Sequence, residues 1–434
     1  MMIQLKRNYF GKVAPSTDQS ENPFIIRLPC RSMYVNLGFD PDPEQFIIAS
    51  FHLESENVLK CAGFLAAESS VGTWTELTTM KNRIEKLKAV VFRKEGNFIQ
   101  VAYPLELFEY GNIPLLLSDV AGNIFGLEYV SRLKLLDLDF PKDYISSFPG
   151  PLYGIEGVRN ILKTGERPHV GTIIKPKMGL NPEETAGVAF DAYTGGCDFV
   201  KDDENLSDQK FCPFEERVVR VLEAADKAGE ETGEKKMYAP NVTSPQFMER
   251  AQFVKDHGGA CIMIDVLTAG FTAVQLLRST GMVIHGHRAM HAAVTRDPRH
   301  GIEMVVFAKL ARLAGVDQLH IGAAVGKMKG SKKEIQKIRD AITEDIGLKR
   351  VFPVASGGLY PGVVPELLEF MGNDVIIQAG GGIHGHPDGT YCGAKAMRQA
   401  VDAGMKKISL TKYAEEHGEL KKALEKWGSS RVRE

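Results

Sequence analysis

The chain has 434 residues, with 53 Lys+Arg against 55 Asp+Glu and a formal net charge of −2. Length allows two or three domains and a sizeable core without disulfide or metal staples. The balanced charge, with no dense basic run, excludes a general nucleic-acid footprint.

The first twenty residues have no apolar stretch of the secretory kind, and no window of 18 apolar residues is free of charge. The six cysteines are scattered without a Cys-x-x-Cys pair. Together these predict a reducing, cytoplasmic setting, with no membrane and no nucleic-acid partner.

In the first part of the chain, FIIASFHLE (46–54), AVVFRKEG (89–96) and FIQVAYP (98–104) read as strands, and ENVLKCAGFLAAESS (56–70) as a helix. This mixture predicts a small α+β domain of ferredoxin-like type over residues 1–145, leader included. The segment 137–154, with three prolines and turn residues, reads as a linker.

From residue 169 the rhythm becomes regular. Short apolar runs at 169–177, 197–205, 236–242, 260–270, 282–291, 318–327, 351–358 and 375–382 are separated by stretches with i, i+3, i+4 apolar spacing. Eight strand–helix units predict an α/β domain over 146–434, a (β/α)8 TIM barrel with C-terminal helices. A doubly wound open sheet is the alternative, weakened by the absence of GxGxxG after the first strand.

Barrel enzymes work at the C-terminal ends of their strands, and here those ends are polar. Run one carries Lys175 and Lys177, and run two Lys201, Asp202, Asp203, Glu204 and Asn205. Asp265 lies on run four, His285, His287, Arg288 and His291 on run five, and His320 and Lys327 on run six. Runs seven and eight end in ASGG (355–358) and AGGG (379–382).

Lys201 and Asp203 share a strand face, with Glu204 able to swing in, which suits a hard-oxygen Mg²⁺ site; a salt-bridged lysine in an acidic loop is the other reading. Lys175 and Lys177 also share a face, and neighbouring ammonium groups depress one another's pKa, favouring proton transfer; the bland reading is a solvated basic turn. For the histidines it is packing or capping. The glycine runs can form anion nests, and Arg288 offers a fork for a second phosphate. Together these features describe an Mg²⁺-dependent enzyme that abstracts a proton from a bisphosphorylated small molecule.

The stretches GTIIKPKMGL, GGCDFVKDDEN, HGHRAMHA, HIGAAVGKMKG, PVASGG and QAGGGIHGHPDG resemble those of the ribulose-1,5-bisphosphate carboxylase/oxygenase (RuBisCO) large chain. AAESSVGTWTEL (66–77) and DVAGNIFG (119–126) resemble its partner-contributed segments. The resemblance spans about residues 45–410, and the compact length and GHPDGTYCGAKAMRQA make it most similar to archaeal form III.

The resemblance implies a carboxylase, with an oxygenase side activity, that adds CO2 to the enediolate of ribulose 1,5-bisphosphate and gives two 3-phosphoglycerates. Its cofactors would be Mg²⁺ and an activating CO2. Lys201 would be carbamylated and would hold Mg²⁺ with Asp203 and Glu204. Lys175, supported by Lys177, and His287 would move protons, and Lys327 on a closing loop would stabilise the new carboxylate. One phosphate would meet Gly358, Gly380, Gly381 and Lys327, with Thr73 and Trp74 of a second subunit. The other would meet Arg288 and His320, with Ser356 near the hydroxyls.

Glu68 and Asn123, also from the second subunit, would contact Lys327 and the substrate. A homodimer, or an assembly of dimers, follows, with no small subunit expected. Two departures stand out: GKMKG with Lys329 where many members have GKLEG, and GGGIHGHPDG in place of the plant-type GGGTLGHPWG. A RuBisCO-like enolase or isomerase of a thiomethyl-sugar phosphate is the rival. Such relatives lose loop and partner residues that are in place here. A non-catalytic relative would lose Lys175 or Lys201.

Overall fold

The computed structural model describes residues 34–73, 75, 77–324 and 331–429. The N-terminal unit runs β1 (Phe46–Glu54), α1 (Val58–Glu68), β2 (Val90–Glu95), β3 (Phe98–Pro104), α2 (Ile113–Val120) and β4 (Arg132–Asp139). Alternation along β1 buries Ile47, Ala49, Phe51 and Leu53 completely, as a sheet with one covered face requires. Asn57 starts α1 by accepting the Lys60 N–H at 3.0 Å. The strands order β4-β1-β3-β2, with β1 antiparallel to both β3 and β4. This βαββαβ arrangement is the ferredoxin-like unit expected.

The expected linker at 137–154 is largely ordered. β4 continues to Asp139 because Leu133, Leu135 and Leu138 bury against β1. Pro141 precedes the short helix α3 (Lys142–Ser146), leaving residues 140–141 and 147–153 irregular.

After α4 (Gly154–Leu162) come β5 (His169–Ile173), β6 (Phe199–Lys201), β7 (Met237–Ala239), β8 (Cys261–Asp265) and β9 (Val283–His287). A two-residue strand, β10 (Gly301–Ile302), leaves the barrel, and β11 (Gln318–His320), β12 (Phe352–Ser356) and β13 (Ile376–Gln378) complete it. The eight barrel strands pair in parallel, in the order β7-β6-β5-β13-β12-β11-β9-β8. The ring closes where Met263 N–H donates to Pro240 O (2.9 Å) and Val242 N–H to Met263 O (3.0 Å). Closure excludes the open doubly wound sheet. Each strand is shorter than its apolar run, because the run continues into the loop that carries the polar residues.

α4 plugs the bottom of the barrel. Ile155, Val158 and Leu162 cluster with Phe199, Met237 and Phe352, which begin their strands. Each such burial contributes roughly 1.5–3 kcal/mol. Buried Asp317 fixes the plug, accepting the N–H groups of Tyr153 (2.6 Å), Gly154 (2.9 Å) and Ile284 (3.0 Å). With the bottom filled, the opening lies at the C-terminal ends of the strands. β10 adds to the N-terminal sheet beside β4, with Gly301 opposite Lys134, and so joins the two units.

Candidate active site

The C-terminal mouth holds a cavity of about 790 Å³. Lys201 ends β6 fully buried, its Nζ donating to Asp202 O at 2.7 Å, with Met263 Sδ at 3.2 Å. Burial drives its pKa down, and the carboxylates of Glu204, Asp203, Asp265 and Asp202 only partly restore it. A lysine so placed is readily neutral and nucleophilic.

The three acids after it do not converge. Asp202 turns behind the strand, where it accepts from Tyr238 Oη (2.6 Å), Asn241 N (3.0 Å) and Arg217 Nε (3.2 Å). It belongs to a fully buried ion pair that fixes the strand end. Asp203 and Glu204 face the cavity with Lys201. Lys175 Nζ lies 2.5 Å from Asp203 Oδ2, and Asn205 donates twice to Oδ1. Burial pushes the Asp203 carboxyl up, but these bonds outweigh it and hold it below the usual carboxylate range. Two carboxylates beside a buried lysine suit a hard divalent cation.

Across the cavity, His287 Nδ1 donates to Asp265 Oδ1 at 2.7 Å, and its Nε2 lies 3.7 Å from Glu204 Oε2. His285 and His320 join Nε2 to Nε2 at 2.8 Å, and His320 Nδ1 meets Ser356 Oγ at 2.8 Å. Burial, helped by the neighbouring imidazoles, Lys201 and Arg288, pushes the His320 pKa well below its ordinary value. It therefore binds as a dipole, not as a cation. Arg288 borders the cavity, and burial lowers its pKa to about 10, which leaves it charged at neutral pH.

Gly357 (φ 116°) and Gly358 (φ 90°) occupy the left-handed region after β12, a turn that aims successive N–H groups at one point. Gly380 and Gly381 follow β13 on the same side. A Cβ on Gly382 would stand 2.0 Å from Leu359 O, so the two glycine turns pack in direct backbone contact.

The structure thus gathers Lys175, Lys201, Asp203, Glu204, His287, Arg288, His320, Ser356, Gly358, Gly380 and Gly381 around one cavity. Lys177 is not among them. β5 stops at Ile173, so the strand alternation that would pair the two lysines does not extend to 177, and Lys177 is exposed. Lys175 pairs instead with Asp203. Glu68, Thr73 and Asn123 lie on the N-terminal unit and do not line this chain's own cavity. Trp74, Lys327 and Lys329 lie outside the described residues.

Among residues at or behind the cavity wall, Asp265, Gln378 and Trp427 had no role assigned from sequence. Asp265 was visible only as an acid at a strand end. Gln378, 1% exposed with both amide atoms unpartnered, is the one polar residue in the run VIIQ. Trp427 arrives from the C-terminal helix Gly418–Trp427, and nothing local in sequence signals it.

A closed barrel whose mouth gathers acids, lysines, an arginine and two glycine turns has the build of a barrel enzyme. Comparison with known proteins names the family. Residues 33–144 match the ribulose bisphosphate carboxylase large chain N-terminal domain, and residues 154–427 its catalytic domain. The chain belongs to the RuBisCO large-chain family.

Ribulose bisphosphate carboxylase of Methanocaldococcus jannaschii is 49% identical over 423 residues, covering 91% of this chain and 99% of that one. The Methanosarcina mazei carboxylase is 48% identical, covering 92% and 99%. Octameric RuBisCO of Pyrococcus horikoshii superposes with a TM-score of 0.88 at 44% identity, covering 92% and 97%. Dimeric RuBisCO of Hyperthermus butylicus gives 0.87 at 45%, covering 92% and 100%. These archaeal relatives agree with the form III resemblance. Among the described residues no helix is long and apolar enough to cross a membrane.

Proposed function

We propose that the chain carboxylates ribulose 1,5-bisphosphate, giving two molecules of 3-phosphoglycerate, with O2 competing for the same enediolate. The observation that supports this reading is that Lys201, Asp203 and Glu204 share one cavity with Arg288 and the glycine turns at Gly358 and Gly380–Gly381. A bisphosphate held by Arg288 and those turns would bring its central carbons into the cavity with the acids. The archaeal carboxylases that cover nearly the whole chain support this reading over an enolase of a thiomethyl-sugar phosphate.

An activating CO2 on Lys201 would add an anionic oxygen to those of Asp203 and Glu204, and the three would hold Mg²⁺. Bound there, the metal supplies polarisation of the substrate's carbonyl and C3 hydroxyl. The chain's own groups do the rest. His287, oriented by Asp265, moves a proton at a substrate hydroxyl. Lys175, paired with Asp203 at the cavity, would move protons on later intermediates. Gly358, Gly380 and Gly381 bind one phosphate through backbone N–H groups, Arg288 grips the other, and Ser356 and neutral His320 orient the hydroxyls.

Lys327 would take the role that the family resemblance gives it, stabilising the new carboxylate. Lys177, outside the cavity, would support Lys175 only indirectly. Glu68, Thr73, Trp74 and Asn123 complete the cavity of a second copy, which makes a homodimer the smallest working unit; relatives of known structure are dimeric or octameric.

The test is Mg²⁺-dependent and ribulose-bisphosphate-dependent fixation of labelled CO2 after preincubation with CO2 and Mg²⁺. Labelled 3-phosphoglycerate is expected. Its absence overturns the proposal, and enolisation without fixation favours the enolase reading.

A further inference from the structure

Just beyond the glycine turn of β13, the chain makes a second cluster that the carboxylation chemistry does not use. His386, Asp388 and Cys392 place one imidazole nitrogen, one carboxylate oxygen and one thiol within 4.8 Å of one another. His386 sits in the turn before helix Gly389–Met405, Asp388 is its N-cap residue, and Cys392 lies in its first turn.

His386 is 5% exposed, and its Nε2 contacts Glu419 O at 2.9 Å. A carbonyl only accepts, so Nε2 carries the proton and Nδ1 keeps its lone pair. That lone pair points to the side of Asp388, whose backbone N–H donates to it at 3.1 Å. A backbone carbonyl on the far nitrogen is the usual means of fixing a metal-binding imidazole.

We propose that His386 Nδ1, Asp388 and Cys392 form a second metal site, for a borderline divalent ion of the zinc type, independent of the reading of the cavity. The donor set decides the ion. One nitrogen, one oxygen and one sulfur are wrong for Mg²⁺ and right for Zn²⁺ or Co²⁺, with solvent as the fourth ligand. Tetrahedral ligands stand about 3.5 Å apart, so the three donors close by about an ångström. Cys392 is partly exposed and Asp388 exposed, so both have room to do so, and the freed Asp388 N–H turns to water.

The competitor is Lys422, whose Nζ pairs with Asp388 Oδ2 at 2.7 Å on a half-exposed surface. An ion pair of that exposure is weak, and a divalent ion displaces it. Binding would staple the turn at 386–388 to the helix that follows.

The probe is Co²⁺, titrated into full-length protein already saturated with Mg²⁺ and bicarbonate. A thiolate ligand gives cobalt a near-ultraviolet charge-transfer band that all-oxygen and nitrogen sites lack, so the cavity cannot mimic it. The band is expected to saturate at one cobalt per chain, to vanish in C392A and to need at least about tenfold more cobalt in D388N. K422A, which removes the competitor, is expected to shift the titration to lower cobalt. Absence of a band in the wild type up to millimolar cobalt, or a band that persists in C392A, overturns the proposal. So does a K422A titration that moves to higher cobalt.

Discussion

Asp265 Oδ1 lies 2.7 Å from His287 Nδ1, and this contact fixes which imidazole nitrogen faces the cavity. With Nδ1–H committed to the carboxylate, Nε2 carries the free lone pair toward Glu204 and the substrate. Asp265→Asn removes the carboxylate charge and can turn an amide N–H donor toward Nδ1, which favours the other tautomer, while keeping the shape. We expect kcat for carboxylation to fall by about 10²–10⁴-fold with little change in KM. Steady-state kinetics on the activated enzyme checks this, and Asp265→Glu is expected to recover part of the loss. An unchanged kcat removes His287 from proton transfer.

Lys201 supplies the second prediction. CO2 adds only to a neutral amine, and burial depresses the Lys201 pKa below the ordinary lysine value of about 10.4. The neutral fraction grows with pH, so activation by CO2 is expected to rise with pH and to have its midpoint below that of an exposed lysine. Trapping of labelled activator CO2 across a pH series measures it. Lys201→Ala and Lys201→Arg are expected to trap none and to fix no CO2 above background; retained carboxylation in either removes the carbamate.

Gly382 has no room for a side chain, because a methyl group there would collide with Leu359 O. Gly382→Ala is expected to part the two glycine turns and misalign their N–H groups. Losing a hydrogen bond or two to a charged phosphate costs about 1.5–3 kcal/mol. The KM for ribulose bisphosphate is therefore expected to rise at least about tenfold, with thermal stability lowered only moderately. A KM within twofold of the wild type places phosphate binding elsewhere.

His384 makes stability depend on pH. It contacts Thr172 Oγ1 (2.8 Å) and Ile173 O (3.0 Å) through Nε2. Burial, helped by the Lys175 charge and opposed by the Ile173 carbonyl, pulls its pKa down to about 4. The unfolded chain takes up this proton near pH 6.5, whereas the folded chain resists until about 4. Stability from this ring is full above the upper value, falls as pH drops through the window and levels off below it. The loss reaches up to about 3 kcal/mol. Denaturant titrations at both ends are expected to show a smaller pH difference for His384→Leu; an identical difference rules the ring out.

The barrel was legible because its strands are uninterrupted apolar runs, such as ACIMID, while its helices carry the longer period. The cavity was legible because polar residues cluster where those runs stop. What escaped depends on where a strand stops and which way it then turns. β5 ends at Ile173, so counting alternate residues out to Lys177 failed. Asp202, read among the acids of its cluster, turns away because Arg217, Tyr238 and Asn241, up to 39 residues later, compete for it. β4 was partly taken for linker because its tail, Asp137–Asp139, is acidic and leads into proline. Its partners on the other edge, Gly301 and Ile302, are too brief to register as a strand. Gln378 and Trp427 take part through long-range packing, which local pattern does not encode.

The brief pairing of β10 with β4 bears on how the cavity wall is held. The segment carrying His287, Arg288 and His291 leaves the barrel at β9 and is next anchored in the neighbouring sheet, where Gly301 and Ile302 pair with Lys134 and Leu135. Lys134, 1% exposed, reinforces that anchor by donating to the carbonyls of Thr295 and Asp297 and pairing with Glu303. Arg288, the arginine proposed to grip a phosphate, is therefore strung between the two units like a cable between two piers. Loosening the ferredoxin-like unit, at a distance from the chemistry, would slacken the grip without touching a single residue of the barrel.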